Sequence, residues 1–129
     1  MTTKICPCNS HKLFKSCCEP LLLGKMVAKT PVQLMRSRYS AYALGGHGKY
    51  LLDTWLPSTA VGLSSASLSV QSIDWVGLNV VSKSQQGESG FVEFKAAYLD
   101  ESGESVVHHE KSVFSRIDGR WFYVGEKSE

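Results

Sequence analysis

Every cysteine of this 129-residue chain falls within one run, Cys6 to Cys18, CPCNSHKLFKSCC, in the pattern C-x-C-x8-C-C. Two thiolates on a tight turn and two at the end of a short return segment can meet on one tetrahedral ion, at about 2.3 Å per sulfur, with no core behind them. The competing reading is disulfides. Adjacent Cys17 and Cys18 cannot bridge without strain, and a Cys6–Cys8 bond would close a cramped ring. Cross-pairings between the two ends stay open, but they need an oxidising compartment. Residues 1–5, MTTKI, lead into no apolar run of the signal-peptide kind. The expectation is a structural zinc ion on Cys6, Cys8, Cys17 and Cys18 in a reducing, cytoplasmic setting. Lys4, Lys12 and Lys15 crowd the ligands, where they would offset the thiolate charge and lower the thiol pKa values. Phe14 is expected to pack against the larger C-terminal domain, and His11 is a minor competing ligand.

A chain of this length can bury one core. Its net charge of +2 is too small a bias to argue for nucleic acid, which is disfavoured as a partner. Apolar runs such as Leu21-Leu22-Leu23 fall far short of the roughly 18 residues that a membrane span needs.

Residues 19–29 read as a connector. Thr30-Pro31-Val32-Gln33 then supplies a capping hydroxyl, a proline at the first helical position and a glutamine three residues after the cap, and Gly45-Gly46 ends the helix so begun. Val32, Met35, Tyr39, Tyr42 and Ala43 share its apolar face, with Arg38 inside that arc and Arg36, Ser37 and Ser40 toward its edge or opposite. A second short helix is expected over 49–56, stopping at Pro57. Residues 57–69 read as a loop bridging helices to sheet, with room for one helical turn. Strands are expected at about 71–84, 90–99, 104–117 and 120–125 in an antiparallel meander. The Asp118-Gly119 turn would pair Arg116 with Trp121 and Phe114 with Tyr123. Both faces of that hairpin carry large apolar groups, so each should be covered: one by helices, the other by a second copy in a homodimer.

Arg38, amid apolar neighbours, needs a partner. Glu110 is the first candidate, ahead of Asp74, Glu93 and Asp53, either as a structural ion pair or as a polar fixture in a pocket with Tyr39 and Tyr123. His109 and Glu110, adjacent on a strand, point to opposite faces and cannot form a dyad. No nucleophile elbow, phosphate loop or catalytic metal pattern appears, so no catalytic residue is assigned. An enzyme reading would use Glu110 or His109 as base, with Tyr39, Tyr42 or Tyr123 as donor.

CPCNSHKLFKSCC resembles the SEC-C zinc motif found in the tail of the SecA translocation ATPase. It departs from the motif at Asn9, His11 and Glu19, where the pattern carries glycine. Asn and His tolerate positive φ, so the turn survives the first two changes. The segments LMRSRYSAY, TW, HEKSVF and DGRWFY resemble the YchJ family, in which such a knuckle precedes a nuclear transport factor 2-like (NTF2-like) cone. The resemblance implies an α+β fold with a zinc knuckle over 1–22 and a cone over 23–129. It also implies a non-catalytic interaction module whose basic rim, Lys12 and Lys15, docks a protein partner of the export-chaperone or ribosome-associated kind. The alternative is a small-molecule binder or an isomerase- or dehydratase-like enzyme using the cone. Many members carry a second knuckle after the cone, which these residues do not contain.

Overall fold

The computed structural model describes residues 4–70 and 73–127. Short helices α1 (Glu19–Leu22), α2 (Pro31–Leu44), α3 (Gly48–Asp53) and α4 (Ser65–Leu68) precede strands β1 (Asp74–Gln86), β2 (Ser89–Leu99), β3 (Ser105–Ile117) and β4 (Arg120–Glu126). The strands form one antiparallel sheet in sequence order. This is the α+β, NTF2-like arrangement that the sequence implies. The start of the first strand at 71–72 lies outside the described residues.

Local chemistry sets both ends of α2. The Thr30 hydroxyl accepts from the Gln33 amide at 3.1 Å, satisfying one donor that a helix start leaves orphaned, and the Gln33 side chain reaches back to accept from the Lys29 amide just before the cap at 2.7 Å. The other end stops at Gly45, at φ +72°. Asp118 and Gly119 have φ of +52° and +82°, the pair of left-handed residues that a type I′ hairpin requires. The expected register results, with Phe114 opposite Tyr123 and Arg116 opposite Trp121.

α2 packs against one face of the sheet. Leu34, Met35 and Tyr39 join Leu78, Val92, Phe94, Phe114 and Trp121 in the core. Gly90 lets the helix start come close, because a Cβ there would sit 2.3 Å from the Pro31 ring. Ser37 and Ser40, expected at the edge of the apolar arc or opposite it, are fully buried. The back of α2 is covered: Ser37 bonds the Tyr50 hydroxyl of α3 at 2.6 Å, and Ser40 meets the Cys6 thiol at 3.6 Å.

The second helix is shorter than expected. After Asp53 the chain leaves helical conformation and runs beside β4. Trp55 forms a parallel bridge to Tyr123, the Leu56 amide donates to Tyr123 O and the Tyr123 amide to Thr54 O, each at 2.8 Å. An unpaired strand edge competes for backbone groups and here captures them from the last helical turn. β1 is irregular, with register shifts between Trp75 and Gly77 and between Val80 and Ser82.

Candidate metal centre and cone cavity

The cysteine run folds as a miniature hairpin. Ile5 pairs with Leu13, the Cys6 amide donates to Lys12 O and the Phe14 amide to Lys4 O, each at 2.8 Å. Asn9 and His11 adopt φ of +63° and +68°, so both take the left-handed conformation that their side chains tolerate. Glu19, the third departure from the motif, opens α1 in its first turn, where a carboxylate suits the helix dipole.

The four Sγ atoms lie within 4.8 Å of one another, with Cys8 to Cys17 at 3.7 Å and Cys17 to Cys18 at 3.9 Å. A tetrahedron of 2.3 Å metal–sulfur bonds has edges of roughly 3.8 Å, so the donor set fits a single ion. It also leaves no open coordination position. Cys6, Cys8 and Cys18 are at most 2% exposed and belong to the core cluster, against which Phe14 packs. Arg36 of α2 donates to Cys8 O at 2.6 Å and fixes the ligand turn to the helix. The Ser10 hydroxyl sits 3.1 Å from the Cys17 sulfur.

Hydrogen bonds from the Cys18 and Cys6 thiols hold Cys8 far below the ordinary thiol range. Interaction with Cys6 and Cys8, then burial, pushes Cys18 far above it, and burial raises Cys17. Loading a divalent ion therefore displaces protons from this cluster. Lys12 and Lys15 are exposed, and Lys4 stacks over Phe14 with its ammonium 5.8 Å from the ring centre.

Beneath α2 the cone holds a cavity open to solvent. A cavity of about 580 Å³ is walled by Tyr39, Trp75, Phe94 and Tyr98 and floored by Arg38, Glu110, Tyr123 and Trp55. Leu68 and the exposed Val70 and Ile73 also line it. The rings meet edge to face, with Trp75 centred 5.3 Å from Tyr98 and 6.1 Å from Tyr39.

Arg38 and Glu110 share this cavity but are not bonded to each other. The Arg38 Nη1 donates to Leu51 O and to the Thr54 hydroxyl, each at 2.7 Å. Its guanidinium lies over the faces of Trp55 and Tyr123, 4.8 and 4.6 Å from their centres. Glu110 accepts from the Ser112 hydroxyl at 2.5 Å and the Tyr123 hydroxyl at 2.9 Å, and His108 Nε2 lies 3.0 Å away. Tyr123 thus stands between the two charges, its hydroxyl given to one and its ring to the other. Of the remaining carboxylates considered, Asp53 pairs with Lys49 and Glu93 with His109, each at 2.6 Å.

His109 is on the outer face, where alternation places it, and has no part in the cavity. His108 takes its place beside Glu110. Strand alternation already carried the signal for His108, because residues two apart on a strand share a face. Thr54 and Trp55 carried no such signal, since their approach depends on the long-range bridge to β4.

Burial alone would raise the Glu110 pKa; hydrogen bonds from Ser112, His108 and Tyr123 outweigh it and hold the carboxyl below its ordinary 4.5. A depressed folded value contributes stability that is present above the unfolded value and is lost as pH falls through the folded one. Glu110→Gln is expected to cost about 1–3 kcal/mol at neutral pH and to flatten the stability profile below about pH 5. Urea titrations at several pH values check this, and an unchanged acid limb would show that Glu110 does not carry it. Tyr39 is pushed up to about 12, chiefly by burial, against a partial offset from the Gly77 backbone.

An NTF2-like cone carrying a four-cysteine SEC-C knuckle at its N-terminal end defines the class. The family model for the YchJ middle NTF2-like domain matches residues 30–126. A UPF0225 protein of Serratia proteamaculans is 41% identical over 126 residues, covering 94% of this chain and 81% of that protein. One from Photorhabdus laumondii is 38% identical over 127 residues, covering 95% and 79%. The solution structure of a SEC-C motif containing protein from Rhodopseudomonas palustris is similar at a TM-score of 0.88 and 34% identity, covering 98% of this chain and 99% of that one. The chain belongs to the YchJ family of UPF0225 proteins. Among the described residues, no helix is long and apolar enough to cross a membrane.

Proposed function

We propose that this protein is a small-molecule-binding cone whose N-terminal knuckle, residues 1–22, holds a structural zinc ion that braces the cone, residues 23–129, from behind. The cavity carries this reading. Its size is that of small-molecule sites, and it combines apolar walls with a few placed polar groups, as such sites do. Zinc is the ion that best suits four thiolates in a closed tetrahedron, and free thiols favour a reducing, cytoplasmic location. With the metal closed off, the reading is one of binding rather than metal catalysis.

A fragment screen by NMR on the native protein tests it. Hits should shift the indole signals of Trp55 and Trp75, and Ala96→Phe, which fills the cavity from its buried wall, should abolish them while preserving the fold. Hits that survive Ala96→Phe, or a screen without hits, would rule out the cavity as the site.

The exposed Lys12 and Lys15 support a second reading, in which the knuckle docks an acidic protein surface of the export-chaperone or ribosome-associated kind. Such contacts weaken with salt. The double variant Lys12→Glu, Lys15→Glu should lose salt-sensitive partners in a pull-down, and an unaltered partner set would remove the idea. Homodimerisation through the outer sheet face rests on exposed Val81, Val107 and Ile117. Concentration-independent sedimentation as a monomer would exclude it.

A further inference from the structure

Arg38 is only 5% exposed, yet among the described residues it has no carboxylate bonded to it. Its two short hydrogen bonds, to Leu51 O and the Thr54 hydroxyl, both leave from Nη1. The Tyr42 hydroxyl is a further hydrogen-bond partner of the guanidinium, and no buried side-chain nitrogen or oxygen among the described residues is both sealed and unpartnered. Arg38 lines the cavity together with Trp55 and Tyr123, over whose rings its guanidinium lies. Tyr42 lines the same cavity.

One carbonyl, two hydroxyls and two ring faces hold this buried cation without a bonded carboxylate, and a guanidinium with five N–H donors keeps capacity beyond three such partners. The missing complement is a planar anion. Guanidinium matches carboxylate oxygens two at a time, with a geometry that lysine cannot reproduce. Glu110 cannot supply that anion, because three protein groups already surround its oxygens and the Tyr123 ring separates it from Arg38. It does restrict the ligand's charge: a second fixed anion in the chamber opposes a dianion far more than a monoanion.

Resting on the cavity reading above, we infer that the cone binds a small organic monocarboxylate, its carboxylate on the Arg38 guanidinium beside Tyr42 and its flat apolar body against Trp75, Tyr98 and Phe94. Arg38 binds the ligand; Glu110 and Tyr123 position the guanidinium and exclude surplus negative charge.

Three shape-matched probes test the assignment on the native, metal-loaded chain: phenylacetate, phenylacetamide and phenethylamine, each titrated at millimolar concentration with the Trp55 and Trp75 indole signals followed by NMR. Phenylacetate should bind at least about tenfold more tightly than the amide, and the amine not at all. Arg38→Lys, checked for native dispersion, should lose that preference while retaining weak binding of the amide. Equal affinity for acid and amide, or preference for the amine, would overturn the carboxylate assignment and leave the cavity reading standing. Silence from all three probes would overturn both. The comparison on the native chain decides the matter whether or not Arg38→Lys folds.

Discussion

Removing the metal from the native protein with a chelator is expected to lower its melting temperature by roughly 10–20 °C and to broaden the transition, a loss of the order of 3–5 kcal/mol. The reason is where the ligands sit. A knuckle tethered at the surface would unravel alone and leave the rest untouched. Here three of the four sulfurs are at most 2% exposed and pack with Leu34, Met35 and Tyr39 of α2. Without the ion, four sulfurs crowd within 4.8 Å with no cation to hold them, and the Arg36 bond to Cys8 O anchors a turn with nothing at its centre. Cys8→Ser should match the chelated protein, since it removes a fully buried donor. Calorimetry with and without chelator measures the effect. A shift below about 3 °C, which for a domain of this size is near 1 kcal/mol, would show that the ion is not part of the stabilising structure.

Gly48→Ala is expected to be nearly as damaging, at about 2–3 kcal/mol or more. Gly48 opens α3, and a Cβ there would lie 1.8 Å from the Ser65 carbonyl oxygen and 2.4 Å from the Ser69 hydroxyl. Its amide also donates to that hydroxyl at 2.8 Å. The obstacle at Ser65 is backbone, so α3 and α4 would have to separate. Ser67 and Leu68 of α4 line the cavity, and any ligand affinity should fall with the melting temperature. Gly87→Ala serves as a control. That glycine is at φ +58° with open space around it, so only backbone strain of about 1 kcal/mol applies. Equal effects of the two substitutions in denaturant titrations would refute the packing argument.

The parts of this fold legible in the sequence are those written in local chemistry. Thr30-Pro31 and Gln33 announce α2, Asp118-Gly119 sets the last hairpin's register, and the cysteine spacing brings four sulfurs together. What escaped the sequence is non-local. Ser37 and Ser40 read as an edge because periodicity does not reveal that α3 and the knuckle would cover the back of α2. Trp55 read as helical because the free edge of β4 that captures it lies almost seventy residues downstream. The hollow was invisible for a different reason: tyrosines, tryptophans and phenylalanines fill a solid core and line an empty one with the same pattern. At the site, strand parity gave His109 its outward direction, and the same parity, carried one residue back, places His108 beside Glu110.

The bridge from residues 54–56 to β4 has a bearing on how copies of this protein can meet. With one border of the sheet plugged by its own chain and the opposite border crimped by two irregularities, neither rim offers a straight ladder to a newcomer. Stacking rim to rim into open-ended ribbons is thereby disfavoured relative to contact through a broad face, where self-association can close after two copies.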